Sequence, residues 1–378
     1  MKPKLFFLVT EDWYFVSHRM QLACAAKEAG FDVIVATQIG KHQELIEEAG
    51  LILEPLLFAR SHTKPWQDLK TVIQIYRLYK KHQPNIVHHV AIKPVLYGSI
   101  ASFFARTPAV VNALTGLGFV FSSTQKKARL IRRIISPFLR YLLSRANTWL
   151  ILQNPDDLQT LRKGKIMSHH RVALIRGSGV DISNFKLQKS LETNIPIVML
   201  AARLIWEKGI SEFVEAAQLL NGKGIQVRFV LVGAADIENP SAVSEELLSD
   251  WDKDGVIEWW GRRDKMADVL SQADIVCLPT SYREGLPKVL IEAAACGKTI
   301  VTTDAPGCRE IVQHGVNGLL VPVKDSQALA DAIETLLMDP DLRKTMGDEG
   351  RALVEKEFTI EKVIDETLNL YKTALDKT

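Results

Sequence analysis

The sequence predicts an α/β protein of two doubly wound, Rossmann-like domains facing each other across a central cleft. Three observations carry that reading. Short apolar, β-branched runs alternate with longer helical patterns. Each run is apolar nearly throughout rather than at every second residue, as in parallel strands covered by helices on both faces. The series also pauses at the polar stretch DISNFKLQKSLETN and restarts near residue 195. With 47% hydrophobic residues over a length of 378, the chain can fill the cores of about two domains.

In the first half the strands are KLFFLV (4–9), FDVIVAT (31–37), NIVHHV (85–90), AVVNAL (109–114), TWLILQ (148–153) and RVALI (171–175). In the second they are IPIVMLAA (195–202), VRFVLVG (227–233), VIEWWG (256–261), ADIVCLP (273–279) and KTIVTT (298–303). This places an N-terminal domain at 1–190 and a C-terminal domain at 191–357. Ligands of such sheets sit beyond the carboxyl ends of the strands.

Composition narrows the function. A net charge of +3 gives no general attraction to nucleic acid. The four cysteines are scattered without a C-x-x-C pair, which fits a reducing compartment and gives no zinc framework. The first apolar run has five residues before Glu11 and Asp12, so it reads as a strand rather than a secretory leader. No apolar run reaches 18 residues. A cytoplasmic protein is expected.

Charge is nevertheless uneven. Between Asp68 and Asp156 there is no acid, but there are thirteen Lys or Arg. Seven fall in QKKARLIRRIISPFLRYLLSR (125–145), among them Lys126, Lys127, Arg129, Arg132 and Arg133. A basic amphipathic segment of this kind can lie on an anionic membrane surface. The alternative is a solvated helix face.

Several nucleotide-binding and hydrolytic motifs fail. TGLGFVF has Gly116 and Gly118, but Phe121 stands where a dinucleotide fingerprint needs its third glycine. CGKT (296–299) would need a glycine at Glu292 to be a P-loop. No G-x-S-x-G nucleophile elbow occurs. His88-His89 and His169-His170 lack a metal-ligand constellation and read as strand-end and loop histidines.

REGLPKVLIE (283–292) holds two carboxylates in a loop that enters a helix. Gly285 permits an unusual turn or close approach of a ligand. Pro287 suits the first helical position. Glu284 precedes the helix and Glu292 lies more than a turn inside it, about 10–12 Å apart along the axis. A retaining glycosidase holds its carboxyls ~5 Å apart, so this is not such a pair. The spacing suits two ends of an extended ligand. The amides at the helix start can take a diphosphate between them. Carboxylates suit vicinal hydroxyls of a sugar and a ribose. The plainer alternative makes Glu284 a helix-dipole partner and Glu292 a surface residue. VMLAARLIWEKGI (198–210) adds Arg203 and Lys208 after a strand, two cations able to neutralise a departing diphosphate. No D-x-D motif stands in a suitable loop, and no metal is expected.

Arg203-x4-Lys208-Gly209, followed by Glu284-x7-Glu292, resembles glycosyltransferase family 4, whose members are retaining, metal-independent enzymes of GT-B fold. The resemblance extends to GVDISNF (179–185), to GCREIVQHGVNGLLV (307–321) and to FTIEKVIDETLNLY (358–371), which is similar to the helix that crosses back to the first domain. It implies that residues 358–378 belong with the N-terminal, acceptor-binding domain. It also implies that Arg203 and Lys208 bind the donor diphosphate with the amides near Gly285, Leu286 and Pro287. Glu292 would hold the ribose, Glu284 the donor sugar, and Gly261 and Arg262 the base.

DWYFVSHRMQLACAAKEAGFDV (12–33), HHVAIKPVLYGSIAS (88–102) and VVNALTGLGFVFSS (110–123) resemble the transferases that build bacterial capsule, exopolysaccharide and O-antigen units. That implies a UDP-sugar donor and a polyprenyl-diphosphate-linked acceptor at the inner face of the cytoplasmic membrane. His18 and Arg19 would touch the acceptor, with helix packing as the alternative. Many members place a histidine in the cleft where this chain has Thr115. Threonine is no general base at neutral pH, so Thr115 and Gly116 are expected to position the sugar instead. A soluble or other lipid acceptor, or a catalytically dead sugar-nucleotide scaffold, are the competing readings.

Overall fold

The computed structural model describes residues 2–58, 65–117, 126–164, 166, 171–187, 195–236 and 239–377. The chain forms two compact units, Met1–Ser178 with Ile360–Thr378, and Gly179–Thr359.

The first unit is a seven-stranded sheet in the order β3-β2-β1-β4-β5-β6-β7. Its strands are β1 (Lys4–Glu11), β2 (Asp32–Gln38), β3 (Ile52–Pro55), β4 (Ile86–Val90), β5 (Ala109–Leu114), β6 (Thr148–Leu152) and β7 (Val172–Leu174), paired in parallel. The second unit orders six strands as β10-β9-β8-β11-β12-β13. These are β8 (Ile197–Ala201), β9 (Arg228–Val232), β10 (Glu258–Gly261), β11 (Ile275–Leu278), β12 (Thr299–Thr303) and β13 (Gly318–Val321), also parallel. Both are doubly wound, with the order reversing between β1 and β4 and between β8 and β11. A crevice opens at that reversal, beyond the strand ends.

The central strands show why their sequences are apolar without alternation. Leu5, Phe7 and Val9 of β1 face one core, while Phe6 and Leu8 face another. In β8, Ile197, Met199 and Ala201 face one core and Val198 and Leu200 the other. Successive side chains point to opposite faces, and helices cover both. Each fully buried Leu, Ile or Phe contributes about 1.5–3 kcal/mol.

Sequence patterning missed β3 and β13, which are edge strands. In β3, ILEP has Ile52 half-exposed and so carries no apolar signature. Gly318 opens β13 because a Cβ there would lie 2.5 Å from the Ile300 carbonyl oxygen.

The units divide at Ser178, twelve residues before the boundary expected at 190. The reason is local. Val180 donates its amide to the Phe358 carbonyl at 3.0 Å, and the Arg351 guanidinium binds the Phe185 carbonyl. Residues 179–185 are therefore tied to the second unit. The last helix, Ile360–Asp376, buries Val363, Leu370, Tyr371 and Ala374 in the first unit's core.

Candidate active site

In the second unit two loops leave neighbouring strands at the reversal point. One follows β8 and carries Arg203, then a tight turn at Trp206–Lys208. Gly209 closes that turn with φ +80°, and a Cβ there would lie 2.2 Å from the Pro279 carbonyl oxygen. The other loop follows β11. Thr280 and Ser281 both bond to the Glu207 carbonyl, the hydroxyl of Thr280 at 3.0 Å and the amide of Ser281 at 2.9 Å. This seam brings Lys208 to Glu284, 76 positions away, and the ammonium hydrogen-bonds the carboxylate. Their side chains are only 14% and 15% exposed, so the pair is shielded but reachable.

The Glu284 loop is held from behind. Thr302 and Thr303 donate their hydroxyls to the carbonyls of Leu278 and Thr280, both at 2.6 Å. The left-handed residue here is Gly307, at φ +84°, whose Cβ would lie 2.7 Å from the Gly285 carbonyl oxygen. Gly285 has no positive φ. The close approach expected at Gly285 is thus made by Gly307, chain against chain. Cys308 lies beside the pair, its thiol pushed up to about 12 by burial.

The helix Lys288–Ala295 begins one residue later than expected, with Pro287 as its N-cap residue at ψ 110°. The Pro287 side chain offers it no cap hydrogen bond, and the Leu290 amide donates back to the Pro287 carbonyl at 3.1 Å. Leu286 and Pro287 are buried at its entrance. Glu292 is not on the surface. It is 7% exposed, and its carboxylate lies 3.4 Å from the Lys288 ammonium. Burial raises its pKa above the ordinary glutamate value, with Lys288 opposing.

Arg203 is half-exposed and bonds Asp236 at 3.0 Å. Gly233, at φ +147°, closes the β9 exit; a Cβ there would lie 2.0 Å from the Ala202 carbonyl oxygen. Its amide donates to the Gly261 carbonyl at 2.9 Å, which seats the β10 exit and Gly261 beside the Arg203 loop. Arg262 is exposed and pairs with Asp264 at 3.3 Å. The structure thus gathers Lys208 with Glu284 in one loop pair and sets Glu292 on the helix that follows. Sequence reasoning missed Asp236, Gly233, Gly307 and Thr280 as supports. The glycines were visible, each just beyond a strand, but their steric partners were not.

In the first unit, Thr115 and Gly116 follow β5 at its carboxyl end, partly exposed, with Gly116 at φ +118°. His18 ends a helix, Asp12–His18, that begins directly after β1 with no intervening loop, and its ring stacks on Tyr14 at 4.2 Å. Arg19 is 5% exposed, and its charge lies near His88 and Tyr371. His88 bonds the Tyr371 hydroxyl at 2.5 Å, and His89 bonds Tyr79 and Asn112 at 2.8 and 2.7 Å. Both histidines are buried structural groups. The basic segment forms the helix Lys126–Leu143. Arg133 is exposed there, while the side chains of Lys126, Lys127, Arg129 and Arg132 lie outside the described residues. Gly118, Phe121, His169 and His170 also lie outside them. Among the described residues no group of three or more His, Cys, Asp or Glu could hold a metal ion.

Doubly wound sheets with a basic and carboxylate cluster at the reversal point define a class of nucleotide-binding enzymes. Comparison with known proteins makes the class specific. Residues 181–353 match the family described as glycosyl transferases group 1, and residues 4–154 match the glycosyl transferase 4-like family. The N,N'-diacetylbacillosaminyl-diphospho-undecaprenol α-1,3-N-acetylgalactosaminyltransferase of Campylobacter jejuni is 30% identical over 86% of this chain and 87% of its own. The UDP-Gal:α-D-GlcNAc-diphosphoundecaprenol α-1,3-galactosyltransferase of Escherichia coli is 25% identical over 81% of this chain and 79% of its own. The crystal structure of HepE from Anabaena, with UDP and glucose, superposes with a TM-score of 0.78 at 22% identity, covering 98% of this chain and 99% of that one. The chain belongs to the family 4, group 1 glycosyltransferases, retaining enzymes of GT-B fold.

Proposed function

We propose that this enzyme moves a hexose or N-acetylhexosamine from a UDP-sugar onto a polyprenyl-diphosphate-linked saccharide, in surface polysaccharide or glycan assembly. The observation that carries the donor half is the Lys208–Glu284 pair at the β8/β11 reversal, beside the start of the helix Lys288–Ala295. An anionic diphosphate suits that position by charge, and a cation already held in place needs little reorganisation when the leaving group departs. Lys208 and Arg203 take the diphosphate, each exchanging a carboxylate partner for phosphate. Glu284, released from Lys208, accepts from the donor sugar's hydroxyls. Glu292 accepts from the ribose, and backbone at Gly261 and Arg262 meets the base.

No metal is required in this reading, because two cations and the helix amides meet the developing charge. Reaction on one face of the sugar, with the leaving phosphate helping to take the acceptor's proton, agrees with Thr115 standing where many relatives have histidine. Catalysis then rests on positioning and on stabilising the diphosphate. The lipid-linked acceptor is supported by the two relatives, whose names both include a diphospho-undecaprenol. It is also supported by the acid-free stretch between Asp68 and Asp156. Thr115 and Gly116 would position the acceptor sugar, and the Lys126–Arg133 face would meet an anionic membrane at its inner surface.

The test is a transfer assay with a panel of UDP-hexoses and undecaprenyl-diphosphate-linked mono- and disaccharides, read by mass, with and without EDTA. The reading predicts one product lengthened by one sugar, undiminished by EDTA. Transfer only to water-soluble acceptors, or loss of turnover in EDTA, would overturn the corresponding part.

A further inference from the structure

The helix Pro65–His82 carries the chain from the carboxyl edge of the first sheet, after β3, back to the amino edge at β4. It buries Thr71, Ile75 and Tyr79. At about 100° per residue, Trp66, Leu69, Lys70, Ile73, Arg77 and Lys80 fall within an arc of roughly 100° on the opposite side. All six are exposed. Trp66 is 77% exposed, Leu69 48% and Ile73 40%. The apolar three lie toward the start of the helix, where Leu57, just beyond β3, is 78% exposed as well. The cations continue toward its end. The one acid of the helix, Asp68, lies off the stripe and approaches Tyr97 and Lys93. Lys81, on the flank, is taken up by Glu54 at 2.7 Å.

Single exposed apolar residues need no explanation. A Trp, a Leu and an Ile in line, continued by cations with no acid on the same stripe, are a different case. That is the pattern of a helix lying in a bilayer interface, with apolar side chains among the acyl chains and cations at the headgroups. We infer that the exposed stripe of helix Pro65–His82, led by Trp66, Leu69 and Ile73, is a docking surface of this enzyme for an anionic lipid bilayer, beyond the Lys126–Arg133 face. Charge decides the occupant. A second copy would set the same cations face to face, whereas an anionic bilayer complements them and the thirteen Lys or Arg of the acid-free stretch. The apolar end of the stripe belongs to the carboxyl edge of the sheet, the edge that holds Thr115 and Gly116. A lipid-linked sugar lifted from the interface would thus reach the edge where the acceptor is proposed to sit, and in this respect the inference rests on the proposed function.

The experiment is co-sedimentation of the full chain with phosphatidylglycerol-containing and pure phosphatidylcholine vesicles, alongside UDP binding as a separate reading of the donor site. Binding is expected on the anionic vesicles and is expected to weaken in high salt. Replacing Lys70, Arg77 and Lys80 together by Gln should cut it about a hundredfold, at roughly 1 kcal/mol per cation. Trp66→Glu with Leu69→Glu and Ile73→Glu should abolish it. Because that triple change is drastic, Trp66→Phe supplies a mild check: brominated-lipid quenching of tryptophan fluorescence should be present in the parent and reduced in this variant. Full binding by the triple Glu variant, quenching unchanged by Trp66→Phe, or binding lost only when Lys126 to Arg133 are neutralised would overturn the inference. So would no binding to either vesicle, as expected of a stripe that meets another protein. UDP binding retained in any of these cases leaves the donor half of the proposed function standing, and UDP binding absent with vesicles bound does the reverse.

Discussion

Glu292 is ionisable, nearly buried and compensated in the free protein chiefly by one lysine on its own helix. Burial raises its pKa, so the folded, ligand-free state holds the ionised carboxylate less well than the unfolded chain does. The ionised form therefore costs stability at neutral pH, and the cost falls as pH drops through the raised value. Stability alone gives no reason for a carboxylate there; the proposed ribose contact would. Glu292→Gln is accordingly expected to leave the unliganded melting temperature at pH 7 unchanged or raised, where loss of a purely structural glutamate would lower it. Lys208 and Glu284 make the complementary case. Lys208→Met keeps the length of the side chain and removes its charge. Turnover is expected to fall on the order of 10²–10³-fold, as when a donor to a developing anion is lost. A change under tenfold, measured as kcat at saturating donor, would remove Lys208 from the reaction. The four residues were legible in the sequence because their spacing is unusual. Their present partners were not, since Lys208 and Glu284 are 76 positions apart and Asp236 belongs to a third loop.

At the scale of elements, the site depends on glycines that let loops touch. Gly209 combines a left-handed φ with the Pro279 carbonyl where a Cβ would stand. The listener on that seam is the Trp206–Lys208 turn, so displacing it moves Lys208 away from Glu284. Gly209→Ala is expected to cost at least 1–3 kcal/mol from backbone conformation alone, with the clash added, and to lower kcat more than donor affinity. Urea unfolding and steady-state kinetics check both; a fully stable, fully active variant would contradict the seam. The elements themselves were read from sequence wherever a strand is buried on both faces, as in AVVNAL, which is β5 to the residue. Two edge strands escaped, β3 because ILEP is half-exposed and β13 because GLLV is short and partly exposed, whereas the edge strands β7 and β10 were read within RVALI and VIEWWG. The helix over the basic stretch was expected, but the exposed stripe on Pro65–His82 was hidden until the fold showed which of its faces is inward.

At the scale of the whole molecule, two doubly wound units follow from the restart of the strand series, and the division falls earlier than the composition suggests because residues 179–185 pair with Phe358 and Arg351. The first unit also carries a built-in acid sensitivity. His89 is fully buried and its pKa is lowered from 6.5 to about 4 by burial, the Asn112 hydrogen bond opposing. His88 shifts in the same direction. Between pH 6.5 and 4 the unfolded chain binds a proton that folded His89 refuses, so stability is complete above the upper value and is lost as pH falls toward the lower. For His89 alone the loss approaches about 3 kcal/mol. Urea midpoints should fall between pH 7 and pH 4.5, and less steeply in His89→Gln; equal slopes would remove His89 as the cause.

The most direct test of the central claim reads the same quantity with ligand. The parent and Glu292→Gln are melted with UDP, GDP and ADP. At about 100 times its dissociation constant a ligand stabilises the native state by about 2.7 kcal/mol. The account predicts a shift with UDP, little with the other two, and its loss in Glu292→Gln while the unliganded melt is unharmed. A shift with GDP or ADP instead would replace the donor base. No shift with any nucleotide, or a UDP shift indifferent to Glu292→Gln, would contradict the site.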